Sequence, residues 1–313
     1  MTNEQTLEFL TTAANQHASD IFIIAGRPLS IKVDGHLTDF GERLMPDDTK
    51  QILECIYQMA NNRDINHLLN TGDDDFSFSI PGLSRFRINA YKQRGSLAAV
   101  IRVIAFRLPD PSELSIPDDV MQTADYTKGM VLVTGSAGSG KSTTMACLID
   151  RINHSREGHI ITLEDPLEYL HRHDRCIVSQ REICTDTENY LTSLRATLRQ
   201  SPDVILLGEM RDHETIQTAM TAAETGHLVL SSLHTLGAAN SISRIIDVFE
   251  PAQQHQIIVQ LSMVLQTVIS QQLVPDVNGH NIPVFEIMRL TPAIRNMIRD
   301  NKIYQIDGVI ASS

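Results

Sequence analysis

The sequence has 313 residues and a formal net charge of -12, with 42% apolar and 20% charged residues. This length and composition suit two compact domains and exclude a disordered or fibrous chain. The acidic balance argues against a nucleic-acid partner, because neutralising phosphates needs a surplus of Lys and Arg on at least one face. The N-terminus lacks a basic start followed by an apolar core, and no apolar run reaches the about 18 residues of a membrane span. We therefore expect a cytoplasmic protein without direct membrane insertion.

The first third of the chain mixes strand and helix patterns. A helix is predicted over Gln51 to Met59, and strands are predicted at Asp20 to Ile24, Phe76 to Phe78, Arg85 to Tyr91 and Leu97 to Ile104. These patterns predict a small α+β domain over residues 1–107. Residues 108–118 contain three prolines, which predicts a stiff, extended linker.

Beyond the linker, short apolar runs alternate with helical patterns. The runs are Met130 to Thr134, Ile160 to Leu163, Val204 to Leu207 and Leu228 to Leu233. Continuous apolar runs of this kind are typical of parallel strands buried on both faces, so we predict an α/β domain with a mainly parallel sheet over residues 119–275. Pro251 to Leu273 is predicted as one amphipathic helix, and residues 276–313 as a C-terminal helical extension.

A phosphate-binding loop follows the first of these runs. Residues 135–142, GSAGSGKS, match G-x-x-x-x-G-K-[ST] directly after a strand and before a helical stretch, which is the context that the motif requires. Its backbone N–H groups are expected to face phosphate oxygens, with Lys141 at the β- and γ-phosphates and Ser142 on Mg²⁺. The sequence therefore predicts an ATP site that also takes Mg²⁺.

Polar residues follow the other three runs, at the sheet edge where α/β proteins bind ligands. Glu164 follows the second run, Glu209 the third and His234 the fourth. Hydrolysis of a phosphoanhydride needs one group to orient water and another to hold the metal. We assign Glu164 to water and Glu209 to Mg²⁺, although their spacing also permits the reverse. His234 can bond the γ-phosphate or serve as a buried structural histidine, and either carboxylate alone can be a helix cap.

Taken together, the motifs resemble the secretion-superfamily ATPases, and among them the pilus-retraction motors. The stretches that carry the resemblance are GSAGSGKST, ITLEDPLEY, SPDVILLGEMRD, TGHLVLSSLHT, RIIDVFEPAQQHQ, SQQLVP and TPAIRNMIRD. The resemblance implies a RecA-like ATPase domain preceded by a PAS-like domain, with a catalytic Glu164, a Walker-B Glu209, and His227 and His234 in a histidine box. It implies nucleotide contacts by Gly135, Ser136, Ala137, Gly138, Ser139, Gly140, Lys141, Ser142 and Thr143.

The same resemblance implies a machine and a mode of action. The family works as homohexamers that bind ATP between the two domains and convert hydrolysis into interdomain rotation. It implies an inner-membrane pilus platform protein as partner, with the motor on the cytoplasmic side and peripheral to that membrane.

Two arginines of the first domain are further candidates for the γ-phosphate. If the chain turns at Arg94-Gly95, Arg87 lies opposite Arg102, and like charges opposed on a sheet favour an anion nearby. The family resemblance also implies charge-stabilising arginines on these strands. The alternative is that both are solvated surface arginines.

The segment Thr291 to Asp300 predicts a short helix with Thr291 as its N-cap. Its apolar stripe leaves Arg295 and Arg299 outward, and it resembles a family segment tied to retraction. The bland alternative is a helix that only packs on the ATPase domain.

Three other functions remain open from the sequence: a catalytically silent regulatory subunit, a nucleic-acid translocase, and a pilus-assembly or secretion ATPase. The acidic charge disfavours the second. The assembly ATPases carry a four-cysteine zinc motif, whereas Cys55, Cys147, Cys176 and Cys184 form no C-x-x-C pair.

Overall fold

A computed structural model describes residues 2–33, 35–104, 108–277 and 281–311 of the chain. The chain divides into two compact units, Met1–Arg107 and Leu108–Ser313. None of the helices within the described ranges combines the length and the apolar character that crossing a membrane demands.

The N-terminal unit is a six-stranded antiparallel sheet with helices on one face. Its elements are α1 (Asn3–Asn15), β1 (Asp20–Ile23), β2 (Leu29–Val33), β3 (His36–Phe40), α2 (Pro46–Met59), α3 (Asn66–Thr71), β4 (Asp73–Ile80), β5 (Ser84–Gln93) and β6 (Ser96–Ile104). The strand order is β3-β2-β1-β6-β5-β4.

Alternation along β5 and β6 decides which side chains meet the helices. Phe86, Ile88 and Ile101 are fully buried in one core with residues of α1 and α2. Because successive side chains of a strand point to opposite faces, Arg87 and Arg102 lie on the face away from these helices. Burial alternates along β5, whereas β6 buries Leu97, Ala98 and Ala99 in succession.

The C-terminal unit is a seven-stranded sheet in the order β13-β12-β7-β11-β10-β8-β9. Its elements are α4 (Asp118–Met121), β7 (Gly129–Thr134), α5 (Lys141–Ser155), β8 (Gly158–Glu164), β9 (Cys176–Glu182), α6 (Tyr190–Thr197), β10 (Val204–Leu207), α7 (His213–Glu224), β11 (Leu228–Leu233), α8 (Ala238–Asp247), α9 (Pro251–Val264), β12 (Leu265–Pro275), β13 (Asn281–Arg289), α10 (Pro292–Arg299) and α11 (Ile306–Ile310). All neighbouring strands pair in parallel except β12 with β13.

Helices cover both faces of this sheet, as the continuous apolar runs predict. Along β7, Met130 and Leu132 belong to one hydrophobic core, whereas Val131 and Val133 belong to the other. Every residue of β7, β10 and β11 is buried. The predicted α/β fold with a mainly parallel sheet is thus confirmed, and it is of the kind that RecA-like ATPases have.

The predicted helix Pro251 to Leu273 is wrong in its second half. Helix α9 ends at Val264, and the chain continues directly as β12, which pairs with β7 and β13. Leu265, Val268 and Ile269 fit the apolar stripe of a helix and equally the buried positions of a strand, so periodicity could not separate the two. The open edge of β7 supplies backbone partners, and that pairing decides in favour of the strand.

Two boundaries also differ from the sequence prediction. The segment predicted as a helical extension, residues 276–313, contains the strand β13, and its first helix in the described residues starts at Pro292. Within the predicted linker, residues 111–115 form turns, and Ile116 is buried in a core of the C-terminal unit. The linker residues are therefore packed on that unit, because Leu108, Leu114 and Ile116 give them apolar surface to bury.

Candidate functional site

The phosphate loop connects the C-terminal end of β7 to the first turn of α5. Its three glycines have positive φ angles of +148° at Gly135, +74° at Gly138 and +87° at Gly140. Side chains are strained at such angles, which explains why glycine stands at each bend. Residues 136–138 are exposed at the tip of the loop, while Ser139 is buried beneath it. The loop thus presents its backbone at the N-terminus of a helix, the arrangement that binds anions.

Lys141 lies at the start of α5 and folds back over the loop. Its Nζ donates to the carbonyl oxygens of Gly135 at 2.9 Å and Ser136 at 2.8 Å. Burial lowers the pKa of Lys141, and the negative charges of Glu209 and Glu168 oppose that shift. A phosphate would give this ammonium a full negative charge in place of two carbonyl dipoles.

Parallel pairing brings the ends of β7, β8, β10 and β11 to one edge of the sheet, beside the loop. A cleft of about 280 Å³ opens there. It is lined by loop residues Ala137, Gly138, Lys141 and Ser142, and by Glu164, Glu209 and His234. The sequence-predicted residues at the strand ends therefore share one cleft with the loop.

Glu164 ends β8 and is partly buried in the cleft wall. Burial raises its pKa to about 7, although the nearby His171 and the Gln180 amide favour the charged form. The Nε2 atom of Gln180 lies 3.5 Å from Glu164 Oε1. A carboxylate whose pKa lies near neutral pH can accept a proton from water and release it again, which suits a general base.

Glu209 follows β10 and is held by two basic residues. Its Oε1 accepts from Arg211 Nη2 at 2.6 Å, and His234 Nε2 lies 3.3 Å from Oε2. The His234 contact lacks hydrogen-bond geometry, so Oε2 is buried without a donor in the part of the chain that the structure describes. A buried carboxylate oxygen with a free lone pair is able to accept a further ligand.

Carboxylate and hydroxyl oxygens are the ligands that Mg²⁺ prefers, so Glu209 and Ser142 fit this ion. Across the described ranges, no group of three or more His, Cys, Asp or Glu side chains is placed to hold a metal by itself. Mg²⁺ in nucleotide sites takes one or two protein oxygens and completes its shell with phosphates and water.

Tyr190 is a residue of the cleft that the sequence analysis missed. It begins α6, and its hydroxyl lies so close to Gly208 that a Cβ on that glycine would approach it within 2.7 Å. Burial raises the pKa of Tyr190, and the nearby carboxylates of Glu209, Asp165 and Glu164 add to the effect. It therefore stays neutral, with its hydroxyl against Gly208. No sequence signal marked it, because it reaches the cleft from a helix that is distant along the chain.

Arg211 was also missed, although it stands two residues after Glu209 in the predicted motif. Its side chain is 77% exposed and is anchored to Glu209. The hydrogen bond that Arg211 donates to Glu209, together with the negative charge of that carboxylate, raises the pKa of Arg211. A short-range charge pairing within GEMRD was the signal that could have identified it.

His227 does not line this cleft, and its predicted contact with nucleotide stays a prediction. It precedes β11, so the whole strand, roughly 20 Å at the usual rise per residue, separates it from His234. Its Nδ1 contacts the carbonyl oxygen of Ala222 at 2.9 Å, and its own carbonyl accepts from Gly129 N. These contacts connect the start of β11 to α7 and to the start of β7, at the end of the sheet away from the cleft.

Arg87 and Arg102 lie in the N-terminal unit, opposite each other in the pairing of β5 with β6, as predicted. Each already has a carboxylate partner. Arg87 donates to both oxygens of Asp75, at 3.2 and 2.8 Å, and Arg102 Nε lies 3.4 Å from Asp20 Oδ1. The carboxylates of Asp75 and Asp20, both in the N-terminal unit, therefore balance the two like charges.

Residues 3–307 match the family described as type II/IV secretion system protein. The chain belongs to this family.

Two relatives within the secretion ATPases cover almost the whole chain. The chain is 43% identical to the type IV pilus retraction ATPase PilT of Pseudomonas aeruginosa, over 97% of this chain and 88% of that protein. It is 40% identical to a twitching motility protein of Neisseria gonorrhoeae, over 97% of this chain and 81% of that protein. A crystal structure of the pilus retraction motor PilT with bound ADP matches with a TM-score of 0.88 and 43% identity, covering 98% of this chain and 89% of that one. The family resemblance carried by the motifs is confirmed.

Proposed function

We propose that this chain is an ATP-hydrolysing motor that powers retraction of a type IV pilus. One observation carries the proposal: Lys141, Glu164 and Glu209 share a single cleft with the phosphate loop, in a chain that resembles PilT over nearly its full length. A nucleotide-binding subunit without activity would need only the loop. The two carboxylates give this cleft the groups that hydrolysis requires.

The phosphate end of ATP would lie over the loop. The loop N–H groups and Lys141 would bind the β- and γ-phosphates, while Ser142 and Glu209 would hold Mg²⁺. When bound, Mg²⁺ neutralises charge on the phosphate oxygens as the bond to the leaving group breaks. The buried Oε2 of Glu209 supports this assignment, because it lacks any donor within the described residues.

Glu164 would orient the attacking water and accept its proton, so that ATP and water yield ADP and phosphate. Its raised pKa supports this role over metal binding, since a metal ligand has to stay ionised. His234, which is 54% exposed and 3.3 Å from Glu209, would bond the γ-phosphate when Glu209 turns to the metal.

A second cavity supports a complete nucleotide site. It measures about 270 Å³, lies beside Gly140, Thr143 and Thr144, and has an apolar wall. That wall is formed by Leu114, Ile116, Leu273, Ile282 and Pro283. An apolar cavity next to the first turn of α5 is suited to a flat aromatic base. The phosphate and base ends of ATP can thus be housed on the C-terminal unit.

The assembly follows from the same proposal. We infer a ring of six copies on the cytoplasmic side of the inner membrane, bound to the pilus platform protein. Head-to-tail interfaces close into such rings when the rotation between neighbours is suitable. Light scattering with nucleotide present should give a mass near six subunits. A fully active monomer would contradict the ring.

Phosphate release tests the activity itself. Purified protein with ATP and Mg²⁺ should release phosphate steadily, and removal of Mg²⁺ with a chelator should stop it. A silent regulatory subunit would bind ATP without releasing phosphate, which would overturn the proposal. Addition of DNA should leave the rate unchanged, because the acidic chain offers no surplus of basic charge for a nucleic-acid backbone.

A further inference from the structure

Strand β12 lies directly beside the phosphate loop. In its parallel pairing with β7, Ser270 is opposite Thr134, the last residue of β7. The next residue, Gln271, is therefore level with Gly135, where the loop begins. Gln271 is only 3% exposed, so a polar side chain has been buried under the loop. Burial of a polar group is unfavourable unless the group is hydrogen-bonded.

The Gln271 side chain is bonded to the first turn of α5. Its Oε1 accepts from Thr144 Oγ1 at 2.8 Å, and Thr144 is fully buried. On the other side of this turn, the hydroxyls of Thr143 and Tyr169 lie 2.9 Å apart. Side-chain hydrogen bonds therefore hold the first turn of α5 on two sides.

Gln271 also touches both ends of the loop. A Cβ on Gly135 would lie 2.2 Å from the backbone oxygen of Gln271, and a Cβ on Gly140 would lie 2.8 Å from its Nε2. The loop can follow its path only because glycine stands at both positions. Gln271 thus sets the distance of the loop backbone from the sheet at each end.

We propose that Gln271 is a positioning residue for nucleotide binding, which holds the phosphate loop in the conformation that receives phosphate. The tip, residues 136–138, is exposed, and within the loop the carbonyl oxygen of Ser136 accepts from Lys141 Nζ and Ser139 N. Its N–H groups bind an anion well only when they already point to one place, because ordering a loop on binding costs affinity. The Gln271 side chain adds to that order from below, through Thr144 and Gly140. This inference rests on the proposed ATP binding at the loop.

The experiment compares Gln271→Met with Gln272→Met. Methionine keeps the length of glutamine but removes the hydrogen bond to Thr144. Gln272 serves as the control because it lies on the same strand and is exposed. We expect Gln271→Met to raise the Kd for ADP and the KM for ATP by about tenfold, the order expected for one buried hydrogen bond. Its kcat should change less, and Gln272→Met should stay within about twofold of wild type.

Thr144 provides an independent arm if Gln271→Met does not fold. Thr144→Val removes the hydroxyl and should weaken ADP binding as Gln271→Met does, whereas Thr144→Ser keeps the hydroxyl and should restore it. In the double variant the two losses should not add, because both remove one bond.

The inference is overturned if Gln271→Met, or Thr144→Val where the former is unfolded, binds ADP within twofold of wild type. It is also overturned if thermal stability alone falls, or if the losses of the two variants add. If wild type and Gln272→Met fail to bind ADP, the proposed function itself is contradicted. The two failures are therefore distinguishable.

Discussion

Arg87 lies directly opposite Arg102 across β5 and β6, and each guanidinium contacts its own carboxylate, Asp75 or Asp20. The Arg87 side chain is 33% exposed, whereas that of Arg102 is 70% exposed and remains largely solvated. Their proposed role at the γ-phosphate would require that phosphate to replace or supplement these carboxylates.

If Arg87 and Arg102 act on the γ-phosphate, replacing either with Ala should slow hydrolysis more than it weakens ADP binding. ADP lacks the group that they would neutralise. The control is Arg94→Asn, because Arg94 is an exposed arginine in the turn of the same hairpin, where Asn tolerates the positive φ of 48°. Turnover and ADP affinity are measured together. If either substitution changes turnover and ADP affinity equally, or changes neither, the arginines do not act on the γ-phosphate and only stabilise the sheet.

Lys141→Ala should abolish tight ATP binding and turnover with the fold intact. Lys141 is the cation of the phosphate loop, and nothing else in that loop can neutralise phosphate charge. Isothermal titration with ATP measures the loss, and circular dichroism confirms the fold. Lys128→Ala is the matched control, since Lys128 is exposed and precedes β7. If Lys141→Ala binds ATP with wild-type affinity, the phosphate loop is not part of the nucleotide site.

Glu164→Gln should keep ATP binding but lower turnover by about 10²-fold or more, as expected when a general base is lost. With the pKa of Glu164 raised to about 7, wild-type kcat/KM should fall as the pH drops below that value, because the protonated acid cannot take a proton from water. The variant should lack this acidic limb. Glu209→Gln provides the comparison and should mainly raise the Mg²⁺ concentration needed for half-maximal turnover. An unchanged turnover rate in Glu164→Gln would show that Glu164 is not the general base.

The same shift has a consequence for stability. A carboxyl group whose pKa is raised on folding stabilises the folded state at low pH, and that contribution is lost as the pH rises through the folded pKa. Relative to Glu164→Gln, the wild type should therefore lose thermal stability between about pH 4.5 and 7. Thermal midpoints of both proteins at pH 5 and pH 8, without nucleotide, measure this difference.

Arg295 and Arg299 should behave differently, although the sequence placed both outward. Arg295 Nη1 donates to the carbonyl oxygens of Ser262 at 2.8 Å and Met263 at 3.2 Å, in the last turn of α9. Those carbonyls have no partner within the helix, so Arg295→Ala should lower the thermal midpoint by about 2–4 °C. Arg299 is exposed and should leave both the thermal midpoint and ATPase activity unchanged when replaced by Ala.

Retraction separates the two roles further. On the resemblance of this segment to the retraction motors, Arg299→Ala should abolish filament retraction in cells while hexamers and hydrolysis persist. Motility equal to wild type in Arg299→Ala would show that this arginine only decorates a packed helix.

The phosphate loop and the strand ends were predictable because local rules determine them. Three glycines, a lysine and a preceding apolar run define residues 130–142 without any long-range information. The end of α9 at Val264 was not predictable, since whether Leu265 to Ile269 forms a helix or a strand depends on the open edge of β7. The same holds for Tyr190 and Gln271, which reach the site from distant parts of the chain. The tertiary fold places these two side chains at the site, so the local sequence does not predict their roles.

Deleting the gene in a piliated strain tests the central claim most directly, with complementation by wild type and by Glu164→Gln. If the chain is a retraction motor, the deletion should leave cells with abundant pili that do not retract. Wild type should restore twitching, and Glu164→Gln should not. Bare cells after deletion would identify an assembly motor instead, and full rescue by Glu164→Gln would show that hydrolysis in this cleft does not drive the filament.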